Sequence, residues 1–396
     1  MKRQKDELTY IGQNIRQLRH QRGWTIARLA AEIGMSEVPL GRIERGENMP
    51  STAVVHRVAR IMGVSLDTLF AEDPQTFLAC QVNAADAPFV PTHGHGQFPP
   101  SVLNATREII QAVSALETIC GAQKQAKIPL NIPFETSARG LAELAERVRN
   151  YMSIGTSIVF DYFELFESMG FRVIIMPLPK ETPSITFFDM ENQNAFFFIR
   201  RLMTPERKLF HLAYGLGRIL LMTGPAAAKN QFPENVDPDD DDITADRELT
   251  EASDAADNSD AKPLTRHRAA RKFAAFFLMP ESSVLTTIRQ LGIQPDQWTY
   301  ELLLRLKHRF GVSAEAFLFR LRELSLIDSH LHTRFHEQIQ AYYRDNNFAE
   351  PDATRRLLTP NGRVWDLVLT ARQQAGKQEQ VKDIESTLKK WKVVKK

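Results

Sequence analysis

The chain contains very little cysteine. Only Cys80 and Cys120 occur among its 396 residues, and they stand too far apart for a metal-binding spacing. Small secreted domains that depend on disulfides carry many more cysteines, whereas a reducing compartment favours few. The count therefore excludes a disulfide framework and predicts a protein of the cytoplasm.

Long apolar runs are also missing. No uninterrupted stretch of the sequence approaches the roughly 18 apolar residues that cross a bilayer. The first residues, MKRQKDELTYIG, lack the apolar segment of a secretory leader. We therefore expect no membrane partner.

Net charge is nearly absent, but the charges are unevenly distributed. The formal net charge is +2, yet residues 1–70 carry 11 Lys or Arg against 7 Asp or Glu. Residues 234–260 carry 12 acidic side chains and a single arginine. Such an acidic run is typical of a solvated loop and less often of a docking segment.

The length predicts two or three folded units. Residues 8–70 have the pattern of five short helices joined by tight turns, and the proline-rich residues 71–100 predict a linker. Residues 101–124 form one amphipathic pattern. Its apolar stripe belongs either to the core or to a dimer seam, and the sequence leaves both open.

The middle of the chain mixes two periodicities. Helical patterns cover 137–152, 157–169, 205–222 and the segment ending at Pro280. Three short segments, 171–179, 184–190 and 195–201, have the composition of strands. The remainder is helical, with Trp365 and Trp391 expected as anchors.

Two consecutive helices are predicted near the N-terminus. Thr25 can cap the first, whose inward side chains are Leu29, Ala30 and Ile33, and Gly34 supplies a turn with positive φ. Ser36 can cap the second, which ends at Gly46. In the second helix the spacing predicts that Leu40 and Ile43 point inward, and that Glu37, Val38 and Arg42 point outward.

This segment, LAAEIGMS…IERGENMPS, resembles the Cro-type helix-turn-helix of the XRE family over about 60 residues. The resemblance implies that the helix after Ser36 enters the major groove, and that Arg19 and Glu44 form a structural ion pair. Arg42 is the best candidate for reading guanine, while Arg16 and Arg45 either reach phosphates or are merely solvated. The DNA-contacting residues that it implies are Arg16, Thr25, Ser36, Glu37, Val38, Arg42 and Arg45.

A second segment, ERKLFHLAYGLGRILLM (206–222), resembles the central helix of the ImmA/IrrE metallopeptidase-like family. RHRAARKFAAFFLMP (266–280) resembles the same family's next helix. The resemblance places Tyr214 and Arg218 at two zinc-ligand positions, Gly215 at the general base and His267 at the third ligand. We therefore expect no catalytic residue, metal or cofactor.

Two neighbouring residues have open roles. His211 is expected off the ligand face of the helix, as a packed or hydrogen-bonded residue rather than a ligand. Arg218 either pairs with an acidic residue or forms an anion-binding spot with Tyr214 and His267.

The predicted fold is therefore mainly α with a small β-sheet. Residues 1–70 are expected as an all-α helix-turn-helix domain, 137–327 as an α+β, zincin-like pseudo-peptidase domain, and 328–396 as a helical C-terminal region. The pseudo-peptidase domain would contain the acidic loop 223–262.

The leading hypothesis is a non-enzymatic, sequence-specific transcriptional regulator. Its expected partners are double-stranded operator DNA, a second copy in a homodimer, and a small-molecule or protein effector sensed by the pseudo-peptidase domain. A bacterial, cytoplasmic protein that joins the nucleoid when bound to DNA would follow. The alternatives are a zinc metallopeptidase that cleaves a repressor, and a helical scaffold whose helix-turn-helix contacts proteins.

Overall fold

The computed structural model describes residues 11–16, 18–20, 24–62, 69, 90–91, 98–129, 132–189, 193–223, 264–353 and 360–394. Contacts group the chain into two compact units, one of residues 1–89 with 97–105 and one of 90–96 with 106–396. Among the helices described, none is long and apolar enough to cross a membrane. Cys80, the predicted acidic loop from residue 224 onward and nearly all of the predicted linker 71–100 lie outside the described residues.

Helices are the regular secondary structure of the first unit within its described residues. Residues 11–16 and 18–20 are helical, and α1 (Ile26–Ile33), α2 (Glu37–Glu44) and α3 (Thr52–Ile61) follow. The buried side chains form one apolar core, consisting of Ile11, Ile15, Leu18, Leu29, Ala30, Ile33, Leu40, Ile43, Val54, Val55, Val58, Ala59, Met62 and Leu69.

Local signals set the beginning and end of α1. The Thr25 hydroxyl accepts a hydrogen bond from the Arg28 amide at 3.2 Å, which caps the helix as predicted. Gly34 has φ +66°, and its amide and the next one bond back to Ala31 and Ala30. This left-handed closure ends α1 and turns the chain toward α2.

α2 begins less conventionally than the sequence suggests. Ser36 occupies the residue before the helix, but its side chain makes no capping hydrogen bond, so the predicted cap is wrong in that respect. Gly46, with φ +71°, follows the helix as expected. Gly12 allows close packing here, because a Cβ at that position would overlap the Ile43 carbonyl oxygen.

The second unit is built on a four-stranded sheet. Its strands are β1 (Val90–Pro91), β2 (Arg172–Met176), β3 (Ser184–Asp189) and β4 (Asn194–Arg200). Their order is β1-β3-β4-β2, with β2 parallel to β4 and the other two pairings antiparallel. The strand β1 lies within the region predicted as a linker.

Helices precede and follow the strands. Before β2 come α4 (Pro100–Cys120), α5 (Ala138–Tyr151) and α6 (Tyr162–Ser168). After β4 the chain forms α7 (Pro205–Thr223), α8 (Arg266–Leu278), α9 (Glu281–Leu291), α10 (Tyr300–Phe310), α11 (Ala314–Glu323), α12 (Ser329–Asp345), α13 (Gly362–Arg372) and α14 (Gln378–Lys390). The helix predicted over 157–169 is therefore shorter than expected, because the Asp161 carboxylate caps its amides only from Phe163 onward.

Helices cover both faces of the sheet. All residues of β2 and β3 are buried, so these strands lack an exposed face. One face contributes Val173, Ile175, Phe197 and Ile199 to the large core that also contains α7 and α8. On β2, Arg172 donates to Glu117 of α4 at 3.1 and 2.8 Å, which ties α4 to the sheet.

The apolar stripe of α4 belongs to the core. Ile109, Val113 and Leu116 are at most 1% exposed within a single chain. Of the two alternatives left open by the sequence, the structure therefore favours core packing over a dimer seam on this face.

The C-terminal region packs onto the same unit. Phe335, Ile339 and Tyr343 of α12 are part of the large core. Ahead of α13, the buried Asn361 amide accepts from the Ile175 N–H at 2.7 Å and donates to the Ile175 carbonyl at 2.9 Å. A side-chain amide thus satisfies β2 where a further strand would otherwise pair.

Candidate nucleic-acid interface and the peptidase-like helix

The outer face of α2 is exposed and does not pack against the core. Glu37, Val38 and Arg42 are exposed, and Val38 keeps 67% of its surface. The opposite face is anchored, because Leu40 is fully buried and Ile43 is 4% exposed. An exposed apolar side chain beside a carboxylate and a guanidinium offers the contacts that base edges and the thymine methyl group accept.

A buried ion pair holds α2 in position. Arg19 donates to both Glu44 carboxylate oxygens, at 2.7 and 2.8 Å, and to the Trp24 carbonyl at 2.9 Å. Arg19 and Glu44 are 7% and 4% exposed. The predicted structural pair is thus present, and it fixes the last turn of α2 against the N-terminal helical segment.

The two arginines expected near phosphates differ in their surroundings. Arg16 is exposed. Arg45 is also exposed, but its guanidinium donates to Glu47 at 2.6 and 3.3 Å. These hydrogen bonds hold the pKa of the Glu47 carboxyl below its usual range.

In the peptidase-like helix α7, Tyr214 and His267 lie together. The Tyr214 side chain is buried, and its hydroxyl is 2.7 Å from Nδ1 of His267 on α8. Two of the positions that the resemblance assigns to zinc ligands therefore satisfy each other by a hydrogen bond.

Gly215 faces the sheet. A Cβ at this position would overlap the Thr186 hydroxyl of β3 and lie 2.9 Å from two ring carbons of Phe197 on β4. Real Cβ atoms essentially never approach so closely. Any side chain at residue 215 would therefore require Thr186 or Phe197 to shift.

His211 and Arg218 are both buried on α7, at 5% and 7% exposure. Nδ1 of His211 lies 3.0 Å from the Ser184 hydroxyl on β3. His211 therefore points at the sheet and is hydrogen-bonded, as the sequence predicts. A fixed positive charge at residue 218 would repel a zinc ion bound beside it.

Two regions of the chain match families of known proteins. Residues 11–72 match the family described as helix-turn-helix domain, and residues 166–322 match the IrrE N-terminal-like domain family. The chain is 38% identical over 58 residues to the uncharacterized HTH-type transcriptional regulator YazB of Bacillus subtilis, covering 84% of that protein.

This chain belongs to the XRE-type helix-turn-helix regulators.

Further relatives agree for the N-terminal part. The regulator is 39% identical over 67 residues to the HTH-type transcriptional regulator SutR of Escherichia coli, over 17% of its own length and 37% of SutR. It is 34% identical to the HTH-type regulator SinR of Bacillus subtilis, over 17% of its length and 60% of SinR. The chain thus joins a helix-turn-helix domain of this family to an IrrE-like domain, and it spans only part of the length of SutR and SinR.

A solved structure also aligns over the whole chain. The apo form of the competence regulator ComR from Streptococcus vestibularis matches 98% of this chain and 93% of its own, at 11% identity. The TM-score is 0.15, so the superposition supports no argument about architecture.

One pair of histidines in the regulator was missed from the sequence. His332 and His336 are four residues apart on α12, and the HxxxH spacing of that segment was the signal that could have found them. Their rings are parallel with centroids 6.1 Å apart, and His336 Nδ1 lies 3.2 Å from Glu315 on α11. Within the described residues, no three His, Cys, Asp or Glu side chains group closely enough to hold a metal ion.

Proposed function

We propose that the regulator reads a specific duplex sequence by placing α2 in the major groove. The observation that carries this proposal is the two-sided character of α2, anchored by Leu40, Ile43 and the Arg19–Glu44 pair and open on its other face. Glu37, Val38 and Arg42 would meet base edges there. Arg42 would bridge O6 and N7 of a guanine, since a guanidinium matches that pair of acceptors.

The remaining proposed contacts position the domain on the DNA backbone. Arg16 and Arg45 would neutralise phosphates, and the first turns of α1 and α2, preceded by Thr25 and Ser36, would direct backbone amides toward them. Such contacts add affinity without sequence information, because every duplex carries the same phosphates.

The regulator is proposed to act as a homodimer on a pseudo-palindrome. A single helix-turn-helix of this size makes few base contacts, so two copies about one helical turn apart are needed for tight, specific binding. Because the stripe of α4 is buried within one chain, the dimer surface lies elsewhere.

The IrrE-like domain is proposed to sense an effector or bind a partner without catalysing a reaction. A side chain at residue 215 would press on Thr186 and Phe197, and the Tyr214 hydroxyl is hydrogen-bonded to His267. A zinc ion that activates water needs three protein ligands and a general base. At the positions that the resemblance assigns, α7 supplies neither the ligands nor the base.

Selection from a random duplex library tests the DNA-binding proposal. The full chain should enrich a pseudo-palindromic sequence, and its affinity for that sequence should exceed its affinity for a scrambled duplex by about 10³-fold or more. Both affinities should fall with salt, because phosphate contacts release counterions. Recovery of no sequence preference, with affinity equal on both duplexes, would contradict specific readout.

Elemental analysis tests the non-enzymatic proposal. The purified chain should carry no stoichiometric zinc and should leave candidate repressor proteins intact. One zinc per chain that a chelator removes, together with chelator-sensitive cleavage of a protein, would instead support the zinc-metallopeptidase alternative.

A further inference from the structure

A reversed turn after α2 places an acidic side chain at the proposed DNA face. The Gly46 amide bonds to the Ile43 carbonyl at 2.9 Å, and the Glu47 amide bonds to the Arg42 carbonyl at 2.9 Å. With φ +71° at Gly46, this pattern folds the chain back over the end of the helix. The Glu47 side chain is therefore held at the end of α2 by backbone geometry.

Glu47 binds the nearest guanidinium with both oxygens. Arg45 Nε is 2.6 Å from one carboxylate oxygen and its terminal nitrogen is 3.3 Å from the other. Both side chains are about half exposed, at 55% and 50%, so the pair is open to exchange with a competing anion. A DNA phosphate presents the same geometry to arginine as a carboxylate does.

Arg42 is left as the free cation of α2. Within the described residues the Arg42 side chain makes no hydrogen bond or ion pair, whereas Arg45 is paired with Glu47. The charge of Arg42 nevertheless contributes to the lowered pKa of Glu47, after the larger effect of Arg45, so the carboxylate lies within the field of both arginines.

We propose that Glu47 is a specificity-determining residue that competes with the DNA backbone for Arg45. This inference rests on the proposed DNA-binding function. Binding to random DNA is almost entirely electrostatic, so each phosphate-contacting arginine strengthens it. By neutralising Arg45, Glu47 lowers that sequence-independent affinity. Arg42, which reads a base, then contributes a larger share of the binding free energy.

The test compares Glu47→Gln with the wild-type full chain on selected and scrambled duplexes over a range of salt. The substitution should tighten binding to scrambled DNA about three- to tenfold near 0.1 M salt, and steepen its salt dependence by about one phosphate contact. Affinity for the selected duplex should rise less, because base contacts already fix the register there, so the specificity ratio falls.

Two controls test whether the effect arises from the Arg45–Glu47 pair. Glu32→Gln removes the same charge from an exposed position on α1 and should leave the specificity ratio unchanged. In an Arg45→Gln background, Glu47→Gln should lose most of its effect, because there is no arginine to release. Equal melting temperatures of these variants would show that the fold is intact.

The outcomes separate the two proposals. If wild type prefers a selected duplex but Glu47→Gln leaves the affinity for scrambled DNA and its salt dependence unchanged, the role assigned to Glu47 is wrong. An equal effect of Glu32→Gln, or a full effect in the Arg45→Gln background, would also overturn it. If wild type prefers no duplex, the proposed function itself fails.

Discussion

At the scale of single residues, Arg42 is the side chain on which proposed recognition depends most. Its side chain is exposed on α2 and makes no hydrogen bond or ion pair with the described residues, so it would reach DNA without breaking one. Arg42→Ala should cost about 1–3 kcal/mol on the selected duplex and relax preference at one base pair. Fluorescence anisotropy with duplexes substituted at each position measures both effects.

Random duplex DNA is the internal control for Arg42. Affinity for it should change much less, since only phosphate contacts act there. Equal losses on selected and random duplexes would assign Arg42 to the backbone, and a lowered melting temperature would assign it to the fold.

Gly215 is the residue that most constrains the peptidase-like helix. Gly215→Ala should destabilise the second unit by about 1–3 kcal/mol, because the new methyl group meets Thr186 and Phe197. Urea unfolding of the full chain measures the change.

Gly41→Ala is a matched helical control for that substitution. A Cβ at residue 41 meets only the ends of the Arg45 and Ile26 side chains, at 3.3 and 3.4 Å, so alanine should be tolerated there. If Gly215→Ala were equally harmless, the sheet would not press against α7 as closely as described, and room for a general base would exist.

At the scale of elements, α6 contains a carboxyl group whose pKa is strongly raised. Burial is the largest cause; Arg363 opposes it, Glu164, Asp161 and Asp366 add to it, and together they raise the pKa of Glu167 to about 8. The folded state therefore holds a proton that the unfolded state releases near its ordinary pKa. The resulting stability is fully present at low pH and is lost as the pH rises through about 8.

Glu167→Gln tests this prediction. At pH 4 the wild-type carboxyl is mostly protonated in both the folded and the unfolded chain, so the melting temperatures of variant and wild type should be similar. At pH 9 the wild-type carboxylate is ionised in acidic surroundings, and the variant should melt at a higher temperature. Glu164→Gln, exposed on the same helix, should show a much smaller difference between the two pH values. Parallel pH profiles for Glu167→Gln and wild type would refute the shift.

At the scale of the whole molecule, the C-terminal region completes the second unit. The Asn361 amide donates to the carbonyls of Ile175 and Val393, at 2.9 and 2.7 Å, and accepts from the Ile175 amide. Asn361→Asp would replace a donor by an oxygen facing two carbonyl oxygens. The free energy of unfolding should fall by about 1–3 kcal/mol or more, and residues 362–394 should be cleaved faster by proteases.

Asn347→Asp provides the comparison. Asn347 is exposed, and it has positive φ like Asn361. It should change neither the urea midpoint nor the rate of cleavage. Unchanged proteolysis of Asn361→Asp would mean that other contacts, such as Trp391 to Glu108 at 2.7 Å, hold the C-terminal helices in place.

Local signals made much of the architecture predictable. Thr25 and Gly34 bound α1, the spacing of Leu40 and Ile43 separates the two faces of α2, and the three predicted strands all form. Trp365 illustrates the limit, because it was expected as an anchor but is 37% exposed. Composition identifies an apolar side chain, but its burial depends on which surfaces meet.

The sequence by itself determined the elements whose causes lie within a few residues, such as caps, turns and helical periodicity, and it determined that α7 contains no HExxH motif. Only the tertiary structure decided the contacts between distant segments. It buried the stripe of α4, paired Tyr214 with His267, pressed Gly215 against the sheet and placed Asn361 on the edge of β2. These contacts join residues from 18 positions apart, as for Phe197 and Gly215, to 186 positions apart, as for Ile175 and Asn361. No local pattern specifies them, because they depend on how complete elements pack.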